Sequence, residues 1–167
     1  IETAVDIRYT SQDARFSIRE AAIGLAADIG TLQRLPKAVG NDSLARELAL
    51  TARDFDAAEA KELGFVSKVF PSQQEALRTY HTTSVQENLD MTNHITDGAV
   101  ETAKRIASLS PVAVVSTKLS LVHARDHSVE EGLRYMQYLN AAALQTDDII
   151  ESVSATMSKS TPRFSKL

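Results

Sequence analysis

Two acidic residues, Glu20 and Asp28, lie eight positions apart in a short segment of small and apolar residues. Glu20 follows a strand-like run at 14–18, and Asp28 precedes the helix-like sequence that starts near Gly30. Gly24 lies between them and permits a tight bend. Two carboxyl groups in apolar surroundings differ in proton affinity, because desolvation and mutual repulsion both raise one pKa. Such a pair can act as acid and base and move a proton between two carbons.

Each acid also has an ordinary structural interpretation. An Asp directly before a helix is commonly its N-cap, and a Glu after a strand is commonly solvated. The spacing alone therefore leaves both the catalytic and the structural interpretation open.

The elements that must position these acids are predicted from hydrophobic spacing and helix-end signals. The predicted strands cover residues 5–9, 14–18 and 65–70. The predicted helices cover about 30–38, 42–50, 56–64, 72–78, 100–109, 128–145 and 148–157. A further helix is predicted to begin at residue 111.

Several helix ends carry recognisable sequence signals. Asp56 with Glu59 and Ser128 with Glu131 have capping-box spacing. Gly64 has the position expected of a residue that ends a helix. Ser110 is predicted to cap a helix that begins at the next residue, a proline. Asn41 or Asp42, and Asp147 or Asp148, are predicted to open two further helices.

Composition narrows the classes of function. The 167 residues permit one ordinary domain, and 43% hydrophobic with 24% charged residues is typical of globular proteins. The net charge of −4, from 18 basic and 22 acidic residues, argues against a nucleic-acid-binding face. The absence of cysteine excludes a disulfide scaffold, a thiol nucleophile and a cysteine-based zinc site.

Neither a metal site nor a membrane span is predicted. His123 and His127 are four residues apart, but the intervening Arg125 and Asp126 indicate a loop, and a surface turn is the favoured interpretation. No apolar run approaches the length of a transmembrane helix.

The last three residues, Ser165, Lys166 and Leu167, match the peroxisomal signal that an import receptor reads. The polar, proline-containing stretch 159–163 predicts the exposed tail that such a signal requires. The alternative is a basic tail without a targeting role.

The run from Phe16 to Pro71 resembles the crotonase superfamily, also called enoyl-CoA hydratase/isomerase. Where hydratases have a small Pro-Gly-Ala-Gly-like turn, this chain has Asp28, and with Glu20 retained it looks like the Δ3,5-Δ2,4-dienoyl-CoA isomerase branch. The motifs that carry the resemblance lie at 16–20, 23–25, 30–36, 39–40, 48–51, 57–60 and 63–70, with later similarity at 110–114, 125–129 and 144–150.

The resemblance implies an α/β fold with the C-terminal part of a crotonase-like ββα spiral core, followed by an α-helical trimerisation region. On this basis, residues 1–100 form a partial core with a polar insertion at about 79–98. Residues 101–158 form the helical region and residues 159–167 the flexible tail.

The resemblance also implies the chemistry. Such enzymes convert 3,5-dienoyl-CoA to 2,4-dienoyl-CoA in fatty acid β-oxidation by proton transfer between C2 and C6. Glu20 and Asp28 would be the two carboxyl groups, and which of them serves C2 stays open. No cofactor is expected, because the CoA thioester is the substrate. Lys118, like Lys104 and Arg125, is a candidate for contact with CoA phosphates, with plain surface solvation as the alternative.

By the same resemblance, the protein is expected to form a homo-oligomer, either a trimer or a hexamer. Apolar residues recur at helical spacing late in the chain, and this stripe has either an internal or an intersubunit role. Its members are Leu133, Met136, Leu139, Ala143 and Leu144.

The chain also departs from the family pattern. A third acid, a glycine-rich turn, the oxyanion-hole amides and the adenine-binding loop would normally lie upstream of Ile1. We therefore expect a fragment or a truncated version of a longer protein, with a natural remnant as the alternative. Two other functions remain open. These are an enoyl-CoA hydratase, which predicts a small residue in place of Asp28, and a non-catalytic assembly subunit.

Overall fold

The computed structural model describes residues 2–77 and 98–165, which fall into two compact units, 1–101 and 102–167. The predicted insertion at about 79–98 therefore lies almost wholly outside the described residues. The first unit mixes short strands with helices, and the second is helical.

The first unit begins with a 3₁₀ helix, and a second 3₁₀ helix precedes its first α-helix. In chain order its elements are the 3₁₀ helix Glu2–Ala4, β1 Tyr9–Ser11, β2 Arg15–Phe16, the 3₁₀ helix Glu20–Ile23, α1 Thr31–Ala38, α2 Asp42–Thr51, β3 Phe55–Asp56, α3 Ala57–Glu62, β4 Lys68–Phe70 and α4 Gln73–Leu77. Helix α5, Ala99–Ala107, begins at the end of this unit and continues into the second.

The strands form two separate pairs. β1 runs parallel to β4, with Tyr9 opposite Lys68, and β2 runs antiparallel to β3, with Phe16 opposite Phe55. All three predicted strands were too long or misplaced. The amide of Val5 closes a turn onto Glu2, so the predicted strand at 5–9 begins only at its last residue.

The predicted strand at 65–70 is reduced to its second half for a physical reason. The amides of Phe65 and Val66 both donate to the carbonyl of Ala60, at 2.9 and 3.2 Å, which ties them to the end of α3. Their side chains are buried, so their apolar character reflects the core and not a strand ladder.

The core of the first unit contains three aromatic rings. Phe16 and Phe55 stack with centroids 5.3 Å apart, and Phe65 meets Phe16 edge-on at 5.8 Å. Small and aliphatic residues from α1, α2 and α3 complete this core, with Leu48 fully buried. Because Ile18 and Ala27 belong to the same core, the segment that carries the two acids is anchored at both ends.

Helix ends in this unit follow the sequence signals closely. The side chain of Asn41 accepts from the Leu44 amide at 3.1 Å, and that of Asp56 from the Glu59 amide at 2.9 Å. Gly64 follows α3 in the left-handed region, with φ of 73°, as predicted. The predicted capping box at Asp56 is only half present, because the Glu59 carboxylate binds Arg53 instead.

The second unit contains the rest of α5 and three further helices, α6 Pro111–His123, α7 Val129–Ala143 and α8 Asp148–Ser158. Ser110 accepts from the Ala113 amide at 3.0 Å, as predicted. The predicted capping box of Ser128 and Glu131 is complete. α7 ends two residues before the predicted position.

Asp147 is the N-cap residue of α8, one of the two predicted alternatives, but its side chain makes no capping hydrogen bond. Asp148 has another role. It is buried as the first residue of α8 and accepts a hydrogen bond of 2.5 Å from the Ser110 hydroxyl. This bond joins the start of α6 to the start of α8.

The second unit leaves much of its apolar surface exposed. Along the predicted stripe, Leu133 is 67% and Leu144 62% exposed, whereas Met136, Leu139 and Ala143 are half-buried. The two leucines therefore lie outside the core formed by the described residues.

No single helix in the described ranges is long and apolar enough to cross a membrane. α5 and α6 reach that length and composition only as a pair, and the pair is bent by 116°.

One ion-pair network predicts a pH dependence of stability. Arg53 donates to Glu47 at 2.8 Å and to Glu59 at 2.9 Å, and its hydrogen bond is the main reason that the pKa of Glu59 is lowered. A lowered carboxyl pKa stabilises the fold above the unfolded value of about 4.3, and this contribution is lost as the pH falls through the folded value.

We therefore expect Glu59→Gln to lower the free energy of unfolding at pH 7 by about 0.5–1 kcal/mol, because the pair is partly exposed. The difference from wild type should shrink below about pH 4, where the unfolded carboxyl titrates. Denaturant unfolding at several pH values measures it. Glu62→Gln on the same helix is the control, and an equal loss in both variants would contradict the assignment.

Candidate active site

Glu20 is the first residue of the second 3₁₀ helix and is half-buried. Ile18, two residues earlier, is 7% exposed and belongs to the core. The neighbouring Arg19 binds Asp54, with Nη2 at 2.9 Å from Oδ1 and 3.2 Å from Oδ2. The backbone before Glu20 is therefore held by burial on one side and by an ion pair on the other.

The chain turns sharply after Glu20. Gly24 ends the 3₁₀ helix in the left-handed region, with φ of 81°, and the amide of Leu25 donates to the carbonyl of Glu20 at 2.9 Å. This conformation is readily available to glycine and strained for other residues. The bend predicted at Gly24 is confirmed.

Asp28 is exposed and directly follows Ala27, which is 6% exposed. The N-cap of α1 is Gly30, with φ of 86°, and no side chain makes the capping hydrogen bond. The alternative interpretation of Asp28 as an N-cap is therefore wrong, and its carboxylate has no capping role at this helix.

Within the described residues, the carboxylates of Glu20 and Asp28 make no structural contact. Among the residues that the structure describes, no side chain or backbone N–H donates a hydrogen bond to the carboxylate of Glu20 or Asp28. By contrast, Glu47, Asp54 and Glu59 each bind an arginine. Because no described group occupies them, the carboxylates of Glu20 and Asp28 are available for contact with a substrate, which general acid–base catalysis requires.

Exposed apolar side chains lie between the two acids in the sequence and directly after Asp28. Ile23 is 70% exposed, and Leu25, Ile29 and Leu32 are also exposed. An apolar surface beside free carboxylates suits a substrate with a hydrocarbon chain and a proton to transfer.

Arg34 holds the other side of this segment, and the sequence analysis gave it no role. Its Nη2 donates to the carbonyl of Ile29 at 2.7 Å, and its Nε donates to the Thr3 hydroxyl at 3.2 Å. The available signal was an arginine one helical turn after a glycine at a helix start. The partnership of Arg19 with Asp54 joins residues 35 positions apart, and no local pattern indicates it.

The remaining predicted site residues lie elsewhere. Lys118 is exposed on α6, as are Lys104 on α5 and Arg125 after α6, all in the second unit. Ser165 is described and exposed, whereas Lys166 and Leu167 lie outside the described residues.

The two histidines form a stack at the end of α6. The rings of His123 and His127 are parallel with centroids 3.6 Å apart, and Tyr135 stacks on His123 at 4.2 Å. Face-to-face rings do not direct their nitrogens at a common point. Within 2–77 and 98–165, no group of three or more His, Asp or Glu side chains is arranged to hold a metal ion.

A cavity of about 670 Å³ lies between α2 and α3, and neither acid lines it. Asn41, Leu44, Asp56 and Glu59 line this cavity, and two of them are already N-caps. Its position between two helices and its capping residues indicate an interhelical groove. The free carboxylates and the apolar residues beside them define the candidate site better than this cavity does.

Residues 1–96 match the enoyl-CoA hydratase/isomerase family. This match covers more than half of the chain and includes both candidate acids. The chain therefore belongs to that family, as the sequence motifs indicated.

The chain is similar to proteins named Δ(3,5)-Δ(2,4)-dienoyl-CoA isomerase. It is 48% identical to the human mitochondrial protein over 99% of this chain and 45% of the relative. It is 47% identical to a peroxisomal protein of Arabidopsis thaliana over 99% of this chain and 52% of the relative. The chain thus spans about half the length of these relatives.

Solved structures of enoyl-CoA hydratases share the fold. A Mycobacterium marinum enzyme superimposes with a TM-score of 0.78 at 26% identity, over 97% of this chain and 56% of the other. A Bacillus anthracis enzyme gives 0.79 at 27% identity, over 97% and 55%. The predicted crotonase-like fold class is confirmed.

Two positive-φ glycines, Gly24 between the acids and Gly30 after Asp28, give a paired test of the Arg34 contact. A Cβ at Gly30 would overlap the Arg34 guanidinium, whereas a Cβ at Gly24 would meet nothing within 4 Å. Both alanine variants should lose about 1–2 kcal/mol from the left-handed backbone. Gly30→Ala should lose about 1 kcal/mol more, because displaced Arg34 forfeits hydrogen bonds.

Denaturant unfolding of both variants measures the difference. Equal losses in Gly24→Ala and Gly30→Ala would show that Arg34 moves aside without losing stabilising contacts.

Proposed function

We propose that this chain supplies the two proton-transfer groups of an isomerase that converts 3,5-dienoyl-CoA to 2,4-dienoyl-CoA. The observation that carries the proposal is the pair of free carboxylates, Glu20 and Asp28, on one core-anchored segment beside exposed apolar side chains. The names of the relatives at 46–48% identity support the reaction class. Because the chain spans about half of those relatives, the proposal concerns the protein at its native length.

The reaction needs one proton removed and one delivered. A carboxylate takes the proton from C2, which the thioester carbonyl acidifies, and the C2–H electron pair becomes the new C2=C3 double bond. The C3=C4 pair moves to C4=C5, and the former C5=C6 pair forms a bond to a proton at C6. The second carboxyl group gives that proton. Each turnover exchanges the protonation states of the two groups, which the solvent then resets.

Two acids at different positions along the acyl chain account for the 2,4-diene product. With one at C2 and the other at C6, the proton is delivered four carbons from where it is taken. The intermediate dienolate carries negative charge on the thioester oxygen, and N–H donors at such an oxygen are worth about 3–4 kcal/mol each. Glu20 and Asp28 supply the proton transfers and not this charge stabilisation.

A hydratase is the second candidate function, and it is supported less well. The chain is 30% identical to a 2,3-dehydroadipyl-CoA hydratase of Escherichia coli, well below its identity to the isomerases. The third candidate, a non-catalytic assembly subunit, leaves the two free carboxylates without a purpose.

The remaining proposals concern substrate binding and assembly. The substrate itself carries the CoA group, so no separate cofactor takes part in the proton transfers. Lys118 on α6 is proposed to contact a CoA phosphate, supported by its exposure and its positive charge. A trimer or hexamer is proposed because Leu133 and Leu144 expose apolar surface.

We also propose a peroxisomal location for a protein that ends at Leu167, with the import receptor as a partner. Support comes from the final tripeptide and from the peroxisomal name of the Arabidopsis relative, whereas the mammalian relatives are named mitochondrial. A fluorescent protein fused ahead of residues 156–167 should enter peroxisomes, and deletion of the last three residues should leave it cytosolic. Mitochondrial uptake of the native-length protein would contradict the proposal.

Asp28→Asn and Glu20→Gln test the central proposal in the native-length protein. Each removes one proton-transfer group at nearly constant shape, so each should lower kcat by about 10²–10⁴-fold. KM should change only a few-fold, because the introduced amide side chains have nearly the same size as the acids and the neighbouring apolar side chains are unchanged. The gain in absorbance from the longer conjugation of the product measures the rate.

Glu62→Gln, on the exposed side of α3, is the control and should keep wild-type activity. Full activity in Asp28→Asn would refute the two-carboxyl mechanism. An absence of isomerisation in the wild-type protein would favour a hydratase or an assembly subunit.

A further inference from the structure

We propose that Arg34 is a positioning residue for Asp28, separate from the anchor that holds Glu20. The inference rests on the proposed function, since it assigns Arg34 a role in placing one of the two proton-transfer groups. Arg34 lies on the first turn of α1, six residues after Asp28, and its guanidinium folds back over the start of the helix.

The contacts of Arg34 fix the peptide next to Asp28. Nη2 donates to the carbonyl of Ile29 at 2.7 Å, so the guanidinium holds the residue that directly follows Asp28. The backbone amide of Arg34 donates to the Gly30 carbonyl at 3.1 Å, which starts α1. Together these bonds set the direction in which the chain leaves Asp28.

The far side of the guanidinium is tied to another element. Nε donates to the hydroxyl of Thr3 at 3.2 Å, and Thr3 is only 7% exposed within the first 3₁₀ helix. Arg34 therefore links the peptide after Asp28 to a buried residue that lies 31 positions before Arg34 in the sequence. With Ala27 buried on the other side, Asp28 is held on both sides by groups that leave its carboxylate free.

The requirement for arginine follows from this geometry. The planar guanidinium donates from Nε and Nη2 in a fixed fork, whereas a lysine ammonium is one flexible point charge that cannot hold both acceptors in the same way. Gly30 supplies the space that the guanidinium occupies, since a Cβ there would overlap it.

Glu20 has a different anchor. Arg19, the residue before it, binds Asp54 at 2.9 Å, in the chain between α2 and β3. The antiparallel pairing of β2 and β3 ends at Phe16 and Phe55. The ion pair of Arg19 and Asp54 joins the two segments beyond that point. Independent anchors predict that a weakened anchor impairs one acid and spares the other.

Exchange of substrate and product hydrogens in deuterated water distinguishes the roles of the two acids in the native-length protein. Loss of the group at C6 leaves exchange of the substrate C2–H, whereas loss of the group at C2 leaves exchange of the product C6–H. Asp28→Asn and Glu20→Gln should therefore slow opposite exchange reactions, which mass spectrometry or NMR resolves. If they do not, the proposed two-carboxyl function itself fails.

If Asp28→Asn and Glu20→Gln slow opposite exchange reactions, Arg34→Lys should slow the same exchange reaction as Asp28→Asn. We expect the exchange assigned to Asp28 to slow by about tenfold or more, since small misplacements of a reacting group are costly, and the other exchange to stay within about twofold. Asp54→Asn is the matched variant and should copy Glu20→Gln. A merely structural role of Arg34 would slow both exchanges equally.

Thr3→Val provides a second test that keeps side-chain shape and removes only the acceptor of Nε. It should give the same asymmetry as Arg34→Lys, with a smaller effect, and it decides the question if Arg34→Lys fails to fold. Equal slowing of both exchanges, slowing of the Glu20 exchange alone, or no slowing in these variants would overturn the positioning role.

Discussion

The segment from Ile18 to Gly30 must fix the positions of two carboxylates, and neither carboxylate serves as an anchor for the segment. Burial of Ile18 and Ala27 in one core satisfies half of this constraint, because it fixes the chain close to each acid. Arginine contacts with neighbouring residues satisfy the other half. The rest of the first unit, from its aromatic core to the start of α1, provides the surfaces on which these anchors rest.

Three arginines of this unit, Arg19, Arg34 and Arg53, differ in what they bind. Arg53 forms ion pairs with the carboxylates of Glu47 and Glu59. Arg19 and Arg34 lie next to the candidate catalytic segment, but they bind Asp54, a carbonyl and a hydroxyl. Positive charge near the site thus stabilises the backbone, and both candidate acids are unpaired within the part of the chain that the structure describes.

The sequence predicted those features that depend on local chemistry. Helix caps at Asp56, Ser110 and Ser128, and the left-handed Gly64, each depend on a few adjacent residues, and all were found as predicted. Strand lengths were not, because strand ends depend on partners far along the chain. Phe65 has a high β propensity, but its amide donates to the Ala60 carbonyl in α3 and not to a neighbouring strand.

The same division applies to the candidate site. Residue types, spacing and the family motifs made Glu20 and Asp28 candidates, but the contacts that anchor their segment involve residues as distant as Thr3 and Asp54. The N-cap alternative for Asp28 was excluded only by the structure, because backbone geometry shows that Gly30 occupies that position.

A structure of the native-length protein with a non-isomerisable dienoyl-CoA analogue tests the two-carboxyl mechanism most directly. One carboxyl group should lie within about 3–3.5 Å of C2 and the other equally close to C6. Both acids near the same carbon, or either acid turned away from the analogue, would refute the mechanism.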